Sequence, residues 1–164
     1  MNQELIETAT ILGDLLLERK LTVTTAESCT SGWVGSTLAA VGQSSQFYSS
    51  GFITYTDQAK HRVLNVSEET LARDSAVSEA AVREMAAGAK TLSGDDSSIA
   101  VSGYAGPDGG EDGTPAGTVW FAWCLPDESV HTRRQWFAGE SEDVVKQATH
   151  FSLSELINIL KNTS

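Results

Sequence analysis

The chain has 164 residues, enough for one domain with a core two or three layers deep and too few for two domains of ordinary size. Twenty-two acidic residues against eleven basic ones leave a net charge of -11, which repels phosphate backbones and anionic bilayers and sets nucleic acid and membranes aside as partners. Two cysteines, Cys29 and Cys124, make neither a disulfide framework nor a zinc site, and that usage fits a reducing cytoplasm.

The N-terminal Met-Asn-Gln-Glu-Leu-Ile-Glu lacks the basic start and apolar centre of a signal peptide, and no run approaches the roughly 18 to 20 apolar residues that span a bilayer. Residues 4–19 place Leu5, Ala9, Leu12 and Leu16 at helical spacing and predict an amphipathic helix. Residues 21–25, Leu-Thr-Val-Thr-Thr, read as a buried strand ending in the polar turn Ala-Glu-Ser-Cys-Thr-Ser-Gly. A helix over 31–40 follows, its hydroxyl-rich start able to cap free amides and to form an anion or oxyanion site. Residues 42–46 make a turn, 51–55 a strand, and 56–64 a short helix that carries Lys60 near its start.

Further on, 67–73 is a second short helix and 78–92 a longer one with a face of small residues suited to close packing on a sheet. A strand over 97–102 leads into the most glycine-rich stretch, 103–115. Strands over 117–125 and 130–137 form a hairpin around Pro-Asp-Glu-Ser, and a helix over 141–160 closes the chain. The expected fold is a single-domain, three-layer α/β/α sandwich around a mixed sheet. Apolar surface on the terminal helices is compatible with a homodimer.

Hydroxyls crowd residues 26–60, and three groups there and beyond carry chemistry. Ser45 and Lys60 form a nucleophile and base if burial or nearby positive charge lowers the lysine pKa, with Tyr55 between them to relay or steady the proton. Spacing alone favours the plain reading, an exposed helix lysine and a turn serine. Ser28 and Thr30 read as substrate donors or as helix caps, and Cys29 as a thiolate nucleophile at a helix start or as a small core residue. The loop with Gly103, Gly106, Gly109 and Gly110 lets backbone amides approach an anion at the carboxyl end of a strand, yet lacks the Gly-Lys-Ser/Thr ending of an ATP-type phosphate loop. His61 is a reserve base. His131 and His150 are scattered, no metal-ligand spacing appears, and of Arg133 and Arg134 only one can face a site, since neighbours on a strand alternate.

Ala-Glu-Ser-Cys-Thr-Ser-Gly at 26–32, Gly-Gln-Ser-Ser at 42–45, Gly-Phe-Ile-Thr-Tyr-Thr-Asp-Gln-Ala-Lys at 51–60, Ala-Val-Ser at 76–78, Ser-Gly-Tyr-Ala-Gly-Pro-Asp-Gly-Gly at 102–110 and Pro-Ala-Gly-Thr-Val-Trp at 115–120 closely resemble the CinA C-terminal domain family over nearly the whole chain. Its characterised members are bacterial nicotinamide-nucleotide amidases. The resemblance implies hydrolysis of the carboxamide of nicotinamide mononucleotide to nicotinate mononucleotide and ammonia, in pyridine-nucleotide recycling and without metal or cofactor. It implies Ser45 as nucleophile, Lys60 as general base and Tyr55 as assisting hydroxyl, and puts Ser28 and Ser102 among active-site hydroxyls. Against the family pattern, Ser31 replaces a glycine, Tyr104 an isoleucine, and Ser141 an arginine at the start of the last helix; if that arginine holds the substrate phosphate, binding here is weaker or shifts to Arg133, Arg134 or Lys146. That last change motivates an alternative, a catalytically weak relative that binds a pyridine nucleotide or a protein partner.

Overall fold

A computed structural model describes residues 2–163. The elements are α1 (Gln3–Arg19), β1 (Val23–Glu27), α2 (Trp33–Ala39), a 3-10 turn (Ser44–Gln46), β2 (Tyr48–Ile53), α3 (Asp57–Leu64), α4 (Glu68–Asp74), α5 (Glu79–Ser93), β3 (Ser97–Gly103), β4 (Thr118–Cys124), β5 (Val130–Trp136) and α6 (Ser141–Asn162). The strands form one sheet in the order β2-β1-β3-β4-β5, parallel across β2, β1 and β3 and antiparallel across β3, β4 and β5. Helices cover both faces, so the mixed α/β/α sandwich expected from the element order is the fold.

The two faces are packed differently. Against α1, α2 and α6 the sheet presents Val23, Ile99, Val101, Val119, Phe121 and Trp123, and Phe121 stacks on Trp123 with ring centroids 5.8 Å apart. Against α5 it presents Ala26, Ala100 and Ala122, which meet Val82, Met85, Ala86 and Ala89. Short side chains on both sides let α5 lie close to the sheet, and Ser98 Oγ donates to the Ala86 carbonyl at 2.7 Å.

Strand limits moved from the sequence expectation because pairing, not β-branched content, sets them. β1 is paired on both edges through Glu27 and all five residues are buried, polar ones included. β2 pairs from Tyr48, three residues before the expected start. α2 begins at Trp33, because Ser31 (φ 42) and Gly32 (φ 101) are left-handed and hold the chain out of the helix until then.

This topology makes a crevice. From β1 the chain leaves through α2 to β2 on one side, whereas from β3 it leaves towards β4 on the other. The carboxyl ends of β1 and β3 are therefore a switch point, the place where open α/β sheets take ligands. Ser28 and Gly103 lie there.

Candidate active site

Ser28 follows β1 directly, and its amide donates to the Val101 carbonyl of β3 at 3.0 Å. Lys60, on the first turn of α3, is only 1 % exposed despite its charge, and its Nζ donates to Ser28 Oγ at 2.8 Å, to the Thr54 carbonyl at 2.8 Å and to the Tyr55 carbonyl at 3.1 Å. Thr56 caps α3 by accepting from the Ala59 amide, which sets the rotation that turns Lys60 inward. Burial pulls the Lys60 ammonium below the usual lysine range, with Asp57 and then Cys29 opposing. The three acceptors match the three protons of an ammonium. In the neutral amine two protons serve the carbonyls, and the lone pair is left facing Ser28 Oγ.

The turn that presents Ser28 is held by its neighbour. Glu27 is 1 % exposed, and its carboxylate accepts from Thr30 Oγ1 at 2.6 Å, from the Gly32 amide at 3.1 Å and from the Val34 and Gly35 amides at 2.9 Å. A buried negative charge is tolerable because four donors and the start of α2 compensate it. The amino end of α2, expected as an anion site, is thus filled by the protein's own carboxylate. Thr30, a candidate substrate donor, is fully buried and committed to Glu27.

Around Ser28 and Lys60 opens a cleft of about 350 Å³. One wall is the β2–α3 connection with Tyr55 and Asp57, and another is the α4–α5 connection with Leu71, Ser75, Ala76 and Val77. The end of β3 supplies Ser102, Gly103, Tyr104, Ala105 and Gly106. Ser102 Oγ donates to the Ala76 carbonyl at 2.8 Å and ties the last two together. Among the described residues lining it, Lys60 is the one cation. Cys29 also lines the cleft, but its thiol packs on the core and is pushed up to about 12 by burial, then by Glu27, against the pull of Lys60 and of the Cys29 and Gly103 amides. It stays a thiol at neutral pH, which removes the thiolate reading.

The expected pairing of Ser45 with Lys60 is corrected. Ser45 is exposed in the 3-10 turn before β2, and Lys60 follows the other end of that strand. Six extended residues put the two ends roughly 20 Å apart. The lysine meets Ser28 instead. Tyr55 contributes its carbonyl to the site, while its side chain, 67 % exposed, stands at the mouth. Of the glycines, Gly103 and Gly106 line the cleft; Gly109 and Gly110 fold back on Thr114 and Tyr104. Arg134 is exposed on β5 opposite Trp120, outside the cleft, and Arg133 pairs with Glu155 at 3.2 Å. Lys146 pairs with Glu142 at 3.2 Å on α6. His61 turns Nδ1 to the Val66 carbonyl at 2.8 Å and Nε2 to Glu68 at 3.2 Å, away from Ser28. Asp57, Leu71, Ser75 and Val77 joined the site unforeseen, since nothing in their spacing marks them as neighbours of Ser28.

Among the described residues no cluster of three or more His, Cys, Asp or Glu side chains is arranged to hold a metal ion, and no helix is long and apolar enough to cross a membrane.

The CinA C-terminal domain matches residues 5–160. Protein YdeJ of Escherichia coli (strain K12) is 47% identical over 163 residues, covering 96% of this chain and 94% of that protein. Nicotinamide-nucleotide amidohydrolase PncC of the same organism is 44% identical over 163 residues, 99% of each. The crystal structure of competence damage-inducible protein A (ComA) from Klebsiella pneumoniae superposes with a TM-score of 0.96 at 48% identity, covering 98% of this chain and 99% of that one. At 31% identity the competence/damage inducible protein CihA of Agrobacterium tumefaciens still superposes with a TM-score of 0.93, over 99% of this chain and 98% of that one. On these grounds the chain belongs to the CinA C-terminal domain family.

Proposed function

We propose that the protein is an amidohydrolase that cleaves the carboxamide of a nicotinamide nucleotide, nicotinamide mononucleotide in the first place, with Ser28 as nucleophile and Lys60 as general base. The observation that carries this is the buried Lys60 Nζ at 2.8 Å from Ser28 Oγ. The likeness to proteins named nicotinamide-nucleotide amidohydrolase supplies the substrate class. Ser45, at the far end of β2, takes no part in this reading.

Neutral Lys60 takes the hydroxyl proton as Ser28 Oγ bonds to the carboxamide carbon, whose π pair moves to oxygen. The tetrahedral adduct then collapses, the C–N bond breaks, and Lys60 returns the proton to the departing ammonia. Water, deprotonated by the same amine, attacks the acyl ester, and the carboxylate leaves with Ser28 restored. The Thr30 amide has no backbone acceptor among the described residues, the Cys29 amide meets only its own thiol, and both follow the nucleophile, so they are the donors best placed for the oxyanion. The Thr54 and Tyr55 carbonyls hold two of the lysine protons throughout and keep its lone pair on Ser28.

Ammonia release from nicotinamide mononucleotide tests this. Ser28→Ala and Lys60→Ala should each lower kcat by at least ~10³-fold, whereas Ser45→Ala should stay near wild type. Loss of turnover in Ser45→Ala with retention in Ser28→Ala would overturn the assignment. A wild type that binds the nucleotide without releasing ammonia would favour the binding-protein alternative, for which Ser141 in place of arginine is the motive.

A further inference from the structure

Ser75 sits between α4 and α5 with φ 72 and ψ 170. That region of backbone space is occupied almost only by glycine, because a Cβ there crowds the flanking peptides, and holding another residue in it costs about 1 to 3 kcal/mol. Non-glycine residues elsewhere in the chain also take positive φ, but Lys20, Gln43 and Asn65 pair it with ψ values of 42, 20 and 29, the ordinary left-handed turn. Ser75 alone among these is extended as well as left-handed.

The strained residue lines the cleft, on the wall made by Leu71, Ala76 and Val77. Local bonds fix it: Ser75 Oγ accepts from the Val77 amide at 3.1 Å, and the Ser75 carbonyl accepts from Ser78 Oγ at 2.8 Å. The hydroxyl proton has only the Val77 carbonyl, at 3.4 Å, near the limit for a hydrogen bond. Its oxygen is therefore oriented by the chain while its proton is left nearly unspent. A side chain that costs stability, is pinned by its own backbone and keeps a free donor at a cleft wall has the pattern of a substrate contact.

Resting on the nucleotide reading above, we propose that Ser75 is a specificity-determining residue that donates its hydroxyl to a sugar oxygen of the nucleotide. On that reading the carboxamide carbon stands against Ser28 Oγ, with Lys60 behind the serine at 2.8 Å. The flat ring then lies along the apolar Leu71, Val77 and Ala105, and the sugar beyond it is the next polar group to meet this wall. Glycine at this position would relax the backbone and lose the contact.

The test compares wild type, Ser75→Gly and Ser75→Ala in thermal unfolding and in ammonia release from nicotinamide mononucleotide, nicotinamide riboside and free nicotinamide. Ser75→Gly relieves the strain, which outweighs the extra freedom glycine gives the unfolded chain, so Tm should rise by roughly 2 to 4 °C. Ser75→Ala keeps the strain and should show no such rise. Both variants lose the donor and should raise KM for the mononucleotide and the riboside roughly five-fold, with free nicotinamide unaffected. A residue with only a structural role would not move KM in the stabilised variant. Unchanged KM in Ser75→Ala overturns the proposal while leaving the amidase reading intact. An effect confined to the mononucleotide overturns the sugar assignment in favour of phosphate, and a lowered Tm in Ser75→Gly overturns the strain argument. Absence of ammonia release by the wild type would instead overturn the amidase reading and this proposal with it.

Discussion

A lysine that serves as a base must be neutral at the moment it acts, and Lys60 is placed where the charge is disfavoured. Its burial lowers the proton affinity, and the Asp57 carboxylate only partly restores it. Rate should therefore rise with pH through the lowered Lys60 value and level off above it; kcat measured from about pH 6 to about pH 10 checks this, and a flat profile would remove the lysine from the proton path. Stability carries the same proton. Because the folded pKa lies below the unfolded one, the unfolded chain binds the extra proton between the two, so the native state gains stability as pH rises across that window and bears the full cost below it. A Lys60→Met variant has no such proton, and its stability relative to wild type should fall over that range in urea titrations. The residue type and the turn around it were legible in the chain. The partner was not: hydroxyls at 28 and 45 look alike in a sequence, and only the direction of β2 decides which one shares an end of the sheet with Lys60.

At the scale of the element, β1 and the turn after it do most of the positioning. A central strand buried on both faces was readable from Leu-Thr-Val-Thr-Thr, but its continuation through Glu27 was not, because a carboxylate inside a parallel sheet is costly unless donors arrive from elsewhere in the fold. Here four arrive, three of them amides of the segment 32–35 that follows. The same bonds explain the delayed start of α2: the chain must loop through the left-handed Ser31 and Gly32 to bring those amides round to Glu27. Glutamine keeps the length of Glu27 but turns one acceptor into a donor, which would oppose one of the amides it now serves. Glu27→Gln should lose about 1 to 3 kcal/mol in denaturant unfolding and lower kcat more than it raises KM, since it displaces Ser28 rather than the substrate walls. A variant as active and as stable as wild type would show that the turn holds its shape without the charge.

The layer order of the whole molecule was legible because periodicity in the long helices and the hairpin leaves few topologies; the composition of the cleft was not, since it joins segments near 28, 57, 75 and 104 that meet only once the sheet has formed. One property of the whole chain was readable from composition and now bears on catalysis. With a net charge of -11 and no cation but Lys60 lining the cleft among the described residues, the long-range field opposes an anionic substrate. Nicotinamide mononucleotide carries a pyridinium and a phosphate, net negative at neutral pH. Raising ionic strength from about 0.01 M to about 0.15 M shortens the screening length from roughly 30 Å to roughly 8 Å, so its KM should fall. Nicotinamide riboside keeps the pyridinium but lacks the phosphate, feels the opposite field, and should show a KM that rises with salt. Opposite slopes for the two substrates would mean that the phosphate is met by neutral donors, such as the backbone amides of Ala105 and Gly106 that follow β3 along the cleft. A mononucleotide KM that rises with salt would require a cation at close range, with Arg134 or Lys146 brought in from outside the cleft to do what Ser141 cannot.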